Sequence, residues 1–242
     1  MNLLAFDTGT DTLSIALAFE EAGAPRLLAH TADGGARASA ALIPVILALL
    51  ARADLRLADL DAIVFGRGPG SFTGLRTACA VAQGLAFGAG VPVLAVDTLL
   101  AVAEEARQQH GVTRVVTLLD ARMDEVYSAA YVYGDPDGDG GWQRQGEFSL
   151  GRPEALAWPH GDDSDGWVLA GNAFTAYADR LPAAARRIEA LPTAAALLRL
   201  APALLAAGQA GTAAGALPLY IRDKVAQTTE ERAALRAAMK VS

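Results

Sequence analysis

Residues 6–17 of the chain read FDTGTDTLSIAL: an apolar strand that ends in an acidic residue, a Thr-Gly-Thr turn, and a second apolar strand. The pattern predicts strands over residues 3–7 and 13–19 that pair as a β-hairpin, with a third strand over residues 26–31. Two interpretations of Asp7 stay open. Either its carboxylate faces a hydrated cation while the turn amides face a phosphate, or the side chain only caps its own tight turn.

A second unit of the same kind begins about halfway along the chain. Residues 115–120 predict an apolar strand that again ends in an aspartate, and residues 126–133 predict its hairpin partner. Matching offsets relate Asp7, Thr12, Leu13 and Ala16 of the first unit to Asp120, Glu125, Val126 and Ala129 of the second. We therefore predict a duplicated unit, in which the two aspartates form a pair across a cleft.

Between the two units the sequence alternates between helices and strands. Apolar residues at helical spacing predict a helix over residues 38–51. A glycine-rich loop then separates a buried strand at residues 62–65 from a helix that ends near residue 87, and a strand at residues 93–96 leads into a further helix. Elements in this order predict an α/β fold with a mixed sheet.

The second half of the chain has fewer clear elements. Residues 167–170 predict a strand and residues 194–207 a helix, whereas residues 134–141 and 160–166 are polar loops, the first without the spacing of a calcium site. We therefore predict a reduced second lobe. The predicted domains are residues 1–110, an N-terminal lobe with a dimerisation face, and residues 111–242, a C-terminal lobe with the tail.

Composition and charge exclude several classes of protein. A single cysteine, Cys79, leaves no internal disulfide and suits a reducing compartment. Residues 77–96 carry no formal charge, but glycines and a proline interrupt them, so we predict no membrane span. The N-terminus lacks the basic region of a secretory signal, and a net charge of -7 argues against a chain that grips nucleic acid alone. We expect a cytoplasmic protein, and if RNA matters for its function, another subunit holds the RNA.

The most distinctive segment is GRGPGSFTGLR, residues 66–76. Its glycines and proline predict a loop, and Ser71 or Thr73 can cap the following helix, where free amides favour an anion. The segment is not a Walker loop, because the lysine is missing and the spacing differs. Small side chains cover nearly every face of that helix, so it packs closely either on its own sheet or against another subunit.

Metal and nucleophilic chemistry find no support in the sequence. The histidines His30, His110 and His160 lie far apart, without a second histidine one helical turn away. No serine lies in a Gly-x-Ser-x-Gly elbow, and Cys79 has no histidine near it in sequence. We therefore predict no catalytic residue and no metal ligand in this chain.

Several segments together carry a family resemblance. They are FDTGTDTLSIAL (6–17), GRGPGSFTGLRTACAVAQGLAFG (66–88), Val-Asp-Thr-Leu (96–99), LLDARMDEVYSAAY (118–131), Gly171-Asn172 and PLYIRDKVA (218–226). In this order, over nearly the whole chain, they resemble the TsaB (YeaZ) family. The resemblance implies a two-lobed actin-like ATPase (ribonuclease H-like) fold.

The resemblance also implies a function and partners. Members of this family are needed to make N6-threonylcarbamoyladenosine (t6A) beside the anticodon of tRNAs that read ANN codons. The catalytic subunit is the paralogue TsaD, with which the TsaB subunit forms a heterodimer, and the ATPase TsaE joins them. The resemblance implies a homodimer when the chain is alone, contact with tRNA only through the complex, and ATP or ADP at the heterodimer interface.

The residues implied for these roles fall into two sets. The interface set comes from the first two helices and comprises Leu42, Val45, Ile46, Leu49, Ser71, Phe72, Thr73, Leu75, Arg76, Cys79, Ala82, Gln83 and Ala86. The nucleotide set comes from the two hairpin turns and comprises Asp7, Thr8, Gly9, Thr10, Asp120 and Arg122.

Three other functions remain as alternatives. A small-molecule kinase or ATPase of the same superfamily would need a complete second lobe, a catalytic aspartate and a substrate pocket. A protease would need a nucleophile or a metal site. A self-contained homodimeric scaffold would need no TsaD, and co-purification distinguishes it from a docking subunit.

Overall fold

The computed structural model describes residues 1–134, 141–159, 166–182 and 186–222. Most of the predicted loops at residues 134–141 and 160–166, together with His160 and the tail beyond Arg222, lies outside these described residues. Within them the chain folds around two mixed five-stranded β-sheets. No helix in the described part is long and apolar enough to span a membrane.

The first sheet has the strand order β3-β2-β1-β4-β5. Its strands are β1 (Leu3–Asp7), β2 (Thr12–Glu21), β3 (Ala24–Asp33), β4 (Ala62–Gly68) and β5 (Val93–Asp97). The second sheet has the strand order β10-β9-β6-β7-β8. Its strands are β6 (Arg114–Arg122), β7 (Glu125–Tyr133), β8 (Trp142–Gly151), β9 (Val168–Gly171) and β10 (Arg187–Glu189).

The two sheets share one topology, which confirms the predicted duplication. In the first sheet β1 pairs antiparallel with β2 and parallel with β4. In the second sheet β6 pairs antiparallel with β7 and parallel with β9. The outer strands follow the same rule, since β3 and β8 add antiparallel to the hairpins and β5 and β10 add parallel on the other side. Asp7 and Asp120 therefore occupy corresponding strand ends.

Helices cover the faces of the sheets. They are α1 (Ala36–Arg52), α2 (Phe72–Ala89), α3 (Thr98–His110), α4 (Phe174–Tyr177) and α5 (Ala194–Ala206). Apolar side chains of α1 and α2 pack on one face of the first sheet, and those of α5 pack on the other. Helix α3 contacts strands of both sheets and buries Leu99, Val102 and Ala106 against the second. Helix α3, which is mostly buried, thus joins the two halves.

Local signals set the helix ends as expected. The Ser71 hydroxyl accepts a hydrogen bond from Gly74 N at the start of α2, and the Thr193 hydroxyl accepts one from Ala196 N at the start of α5. Gly90 and Gly111 end α2 and α3 in the left-handed conformation that glycine adopts without strain. Helix α5 lies in the predicted second lobe by sequence but packs on the first sheet, so the chain returns to its first half before it ends.

Candidate functional site

A cavity of about 280 Å³ lies between the two hairpin turns, at the ends of β1 and β6. Four of the six predicted nucleotide residues line it, namely Gly9, Thr10, Asp120 and Arg122. Asp7 and Thr8 do not line it. The two turns that the sequence relates therefore do meet across a cleft, but they present different groups to it.

The Asp7 carboxylate is locked inside the first lobe. Its Oδ1 accepts a hydrogen bond from Gly9 N at 2.7 Å, and its Oδ2 accepts one from the Thr98 hydroxyl at 3.1 Å. The side chain is fully buried, and this burial raises the pKa of Asp7 to about 6 against the two hydrogen bonds that favour the ionised form. Gly66 makes room for it, because a Cβ at residue 66 would lie 1.7 Å from Oδ2. The observed role of Asp7 is to cap its own turn.

The glycine-rich loop packs directly on the first turn. Ser71 N donates to Gly9 O at 2.7 Å, and the Thr8 hydroxyl donates to Gly74 O at 2.7 Å. A Cβ on Gly70 would lie 2.5 Å from Gly9 O, so only glycine allows this approach. We expected free amides at the start of this helix to favour an anion. The amides of Ser71 and Gly74 are instead hydrogen-bonded within the chain.

The second turn keeps its carboxylate at the cavity wall. Asp120 Oδ1 accepts hydrogen bonds from Arg122 N at 2.8 Å and from the Tyr177 hydroxyl at 3.0 Å. The backbone N of Asp120 donates to Asn172 Oδ1 at 2.9 Å. Asp120 therefore caps its own turn in the same way as Asp7, yet its side chain stays in contact with the cavity.

The turn after β6 has a strained backbone and exposed ion pairs on both of its sides. Arg122, Met123 and Asp124 all have positive φ angles, between 57° and 67°, a region that residues other than glycine rarely adopt. Arg180 pairs with Asp124 on one side of the turn. On the other side Arg122 reaches Asp11 of the first hairpin at 2.5 Å. This last pair links the two turns across the mouth of the cavity.

Metal ligation has no evident site in the part of the chain that the structure describes. There, no three His, Cys, Asp or Glu side chains come together in a group that could hold a metal ion. Of the described charged groups that line the cavity, Arg122 pairs with Asp11 and Asp120, and Arg222 pairs with Glu125, which is not itself a lining residue.

Many side chains of the predicted interface set are buried by the chain itself, and their contact with a partner stays a prediction. The buried members contribute to the core between the helices and the first sheet: Leu42, Ile46, Leu49, Leu75, Cys79, Ala82 and Ala86. Helical periodicity identifies a buried face, and here that face meets the chain's own sheet. Val45, Phe72 and Gln83 are half-buried, and Ser71, Thr73 and Arg76 are exposed.

The outer face of the same two helices carries apolar side chains that the sequence analysis did not select. Phe87 of α2 is 85% exposed, and Leu47 and Ile43 of α1 are 50% and 41% exposed. Ala80 and Gly84 of α2 are small and exposed as well. The two helices that were predicted to form an interface thus do expose apolar side chains. Each of these follows a buried member of the predicted set directly in sequence: Ile43 follows Leu42, Leu47 follows Ile46, and Phe87 follows Ala86.

Sequence reasoning also missed several residues of the cleft. Thr98 donates to the Asp7 carboxylate and Asn172 accepts from the Asp120 backbone N, and neither residue was predicted to belong to the site. Tyr177 carried no signal in the sequence. Residues 219–222, near the end of the described chain, line the cavity as well. They belong to the segment PLYIRDKVA, which contributed to the family resemblance but was not predicted to be part of the site.

A duplicated five-stranded unit with a cleft between two Asp turns defines a two-lobed actin-like (ribonuclease H-like) fold. The chain is 33% identical over 230 residues to "tRNA threonylcarbamoyladenosine biosynthesis protein TsaB" of Escherichia coli, an alignment that covers 93% of this chain and 96% of that protein. The chain therefore belongs to the TsaB (YeaZ) family.

Further comparisons agree with this assignment. The Haemophilus influenzae protein of the same description is 42% identical over 134 residues, which span 54% of each chain. The solved structure "YeaZ from Pseudomonas aeruginosa" superposes with a TM-score of 0.80 at 39% identity and covers 91% of this chain and 99% of that one. Residues 29–140 match the family model "TsaD: tRNA N6-adenosine threonylcarbamoyltransferase".

Proposed function

We propose that this chain is a subunit for the synthesis of N6-threonylcarbamoyladenosine in tRNA, and that it acts by docking onto TsaD. The observation that carries the first part is the full-length match to a protein described as "tRNA threonylcarbamoyladenosine biosynthesis protein TsaB". The match extends over both lobes, so the proposal concerns the whole chain and not one shared domain.

The state of the first turn supports a role without catalysis. In a nucleotide-dependent actin-like enzyme the aspartate at the end of the first strand would have to face a hydrated cation. Here the Asp7 carboxylate is buried against Gly66 and bonded to Thr98, away from the cavity. A catalytic partner would then have to supply the reacting groups. Binding of ATP or ADP, in the cleft or at the interface with TsaD, stays a prediction.

The exposed face of α1 and α2 supports docking. An apolar side chain that is largely exposed, such as Phe87, gains free energy when a partner covers it. Exposed apolar residues that cluster on neighbouring helices mark protein interfaces more often than isolated ones. The proposal also includes TsaE as a further partner, contact with tRNA through the complex, and a homodimer of the free chain.

Co-expression with the TsaD of the same genome tests the docking proposal. We expect a heterodimer in size-exclusion chromatography, and we expect Leu47→Glu and Phe87→Glu each to weaken it by at least about tenfold, because each places a charge in an apolar contact. Leu27→Glu is the matched control. Leu27 is also an apolar residue, 55% exposed, but it lies on β3 outside this face.

The outcomes separate the alternatives. If the wild-type chain does not bind TsaD, the docking proposal is wrong. If it binds TsaD but all three glutamate variants bind equally well, the interface lies elsewhere. Nucleoside analysis of tRNA from a strain that depends on this chain tests the first part, since t6A should disappear on depletion. ATP turnover by the purified chain alone would instead favour the kinase or ATPase alternative.

A further inference from the structure

The end of the described chain crosses the cleft instead of leaving the molecule. Leu219, Tyr220, Ile221 and Arg222 belong to no helix or strand, yet all four line the cavity between the hairpin turns. A segment without regular structure holds such a course only if side chains and backbone groups anchor it on both sides.

The first anchors belong to the first lobe. Leu219 N donates to Arg67 O at 2.7 Å, which attaches the segment to the end of β4. The Tyr220 ring stacks on Phe72 with centroids 4.8 Å apart, and its hydroxyl accepts a hydrogen bond from Arg76 Nε at 3.1 Å. Both residues lie in the first turns of α2, beside the glycine-rich loop.

The other anchors belong to the second lobe. Arg222 donates to Glu125 Oε2 at 2.5 Å, at the start of β7. The same guanidinium lies 3.4 Å from Arg122 O and from Met123 Sδ in the strained turn. Ile221 adds a half-buried apolar contact with the core of the second lobe.

We propose that residues 219–222 are a releasable strap that holds the two lobes closed over the cavity. Buried packing around α3 joins the two lobes, and among the described residues the two hairpin turns are bridged at the cavity by the strap and by the exposed Arg122–Asp11 pair. An ion pair between exposed side chains contributes little. Opening should therefore occur at the mouth, with the strap as the main resistance.

The strap also has the features of a contact that can be released. Tyr220 is 43% exposed and its stacking partner Phe72 is half-buried, so water reaches the first-lobe anchor. Regions with few buried contacts and irregular backbone open at low free energy. Residues 219–222 line the same cavity as Gly9, Thr10, Asp120 and Arg122, so release of the strap would change access to these turn residues. This inference does not depend on the proposed function.

Hydrogen exchange measured by mass spectrometry on the full chain tests the strap. The variant Tyr220→Ala/Arg222→Ala removes one anchor in each lobe. We expect peptides that contain residues 9–11 and 119–123 to exchange at least about tenfold faster, while residues 3–6 in the centre of the first sheet keep their protection. Leu217→Ala is the control, since Leu217 precedes the strap and is 63% exposed. Tyr220→Phe, which keeps the stacking but loses the bond to Arg76, should fall between the two.

Two results would overturn the inference. Unchanged exchange at both turns in the folded double variant would mean that the strap does not keep the cleft closed. Equal acceleration at the turns and at residues 3–6 would mean that the segment only contributes to global stability. Near-UV circular dichroism of each variant establishes that the compared proteins are folded.

Discussion

The two hairpin turns of this protein share one sequence pattern but place their aspartates in different surroundings. Each begins with an aspartate whose Oδ1 accepts the amide of the residue two positions later, Gly9 in one case and Arg122 in the other. Asp7 is then sealed by Gly66 and Thr98 inside the first lobe. Asp120 stays at the cavity, held by the Tyr177 hydroxyl and paired with Arg122.

The difference shows that a shared fold does not preserve a shared site. Both lobes retain the strand order and the aspartate that caps the turn, but only the second turn has consecutive residues with positive φ. The surroundings of the carboxylates come from other parts of the chain, which are free to diverge. What remains of a ligand site is therefore asymmetric, with its polar side chains mostly from the second lobe.

The largest expected effect comes from filling the space beside Asp7. In Gly66→Ala the added Cβ would lie 1.7 Å from Asp7 Oδ2 and 2.7 Å from its Cγ. The carboxylate has no alternative position, because it is buried and bonded on both oxygens. We expect the free energy of unfolding to fall by roughly 3 kcal/mol or more, measured by urea denaturation.

Gly84→Ala is the matched control for this prediction. The substitution is the same, but no atom lies within 4 Å of the added Cβ on the exposed side of α2. In the helix interior alanine should be neutral or stabilise the protein by roughly 0.5–1 kcal/mol relative to glycine. Equal effects at both glycines would contradict the sealed environment that we describe for Asp7.

The second prediction concerns the pH dependence that burial of Asp7 creates. Its pKa is raised from 3.8 to about 6 by loss of hydration. Because the folded protein then binds the proton more tightly than the unfolded chain, this group stabilises the fold fully below pH 3.8, and the contribution is lost as the pH rises through about 6. The loss corresponds to about 3 kcal/mol, at about 1.36 kcal/mol for each pH unit between the two values.

Asp7→Asn isolates this contribution. The amide keeps the shape and can still accept from Gly9 N, but it does not ionise. We expect the stability of the variant relative to wild type to rise by about 3 kcal/mol between about pH 3 and pH 7, in urea denaturation at a series of pH values. A difference that stays constant with pH would show that Asp7 is ionised in the fold without penalty.

Much of the fold followed from the sequence, because local patterns encode it. The apolar run and the Thr-Gly-Thr turn predicted β1 and β2, and the repeat of that pattern predicted the second hairpin. Strand β8 was missed because most of its side chains are half-buried or exposed and no alternation marks it, and β10 was missed because it has only three residues. Strand β10 forms because it pairs with the edge of β9, and the local sequence of β10 does not reveal that pairing.

The site was harder to predict, because it depends on residues far apart in the chain. Asp7 packs against Gly66 and is bonded to Thr98, and residues 219–222 line the cavity. A pattern that marks a residue as apolar and periodic, as for Leu42 and Leu75, shows that it is buried but not against which surface. The interface set therefore stays a prediction, and the exposed apolar residues of the same helices offer a way to test it.

The third prediction compares the hydroxyl groups that hold the two aspartates. Thr98→Val removes the donor to the buried Asp7 and also the acceptor for Gly68 N. Tyr177→Phe removes only the donor to Asp120, which keeps the Arg122 amide. We expect losses of roughly 2–3 kcal/mol for the first and about 1 kcal/mol for the second, again from urea denaturation. A larger loss for Tyr177→Phe than for Thr98→Val would contradict the view that the hydrogen bond to the buried Asp7 contributes more to stability than the one to Asp120.

The smallest effect is expected where the two turns touch each other, at the pair of Asp11 and Arg122. Their side chains are 80% and 67% exposed, so water and salt screen the attraction. Asp11→Asn should cost about 0.5 kcal/mol or less, and the cost should shrink at high salt. Glu21→Gln is the control, since Glu21 makes a similarly exposed pair with Arg26 inside the first sheet alone. If Asp11→Asn lowers the stability clearly more than this control, the two hairpin turns stabilise each other across the cleft. The turns would then be less independent than the different burial of Asp7 and Asp120 indicates.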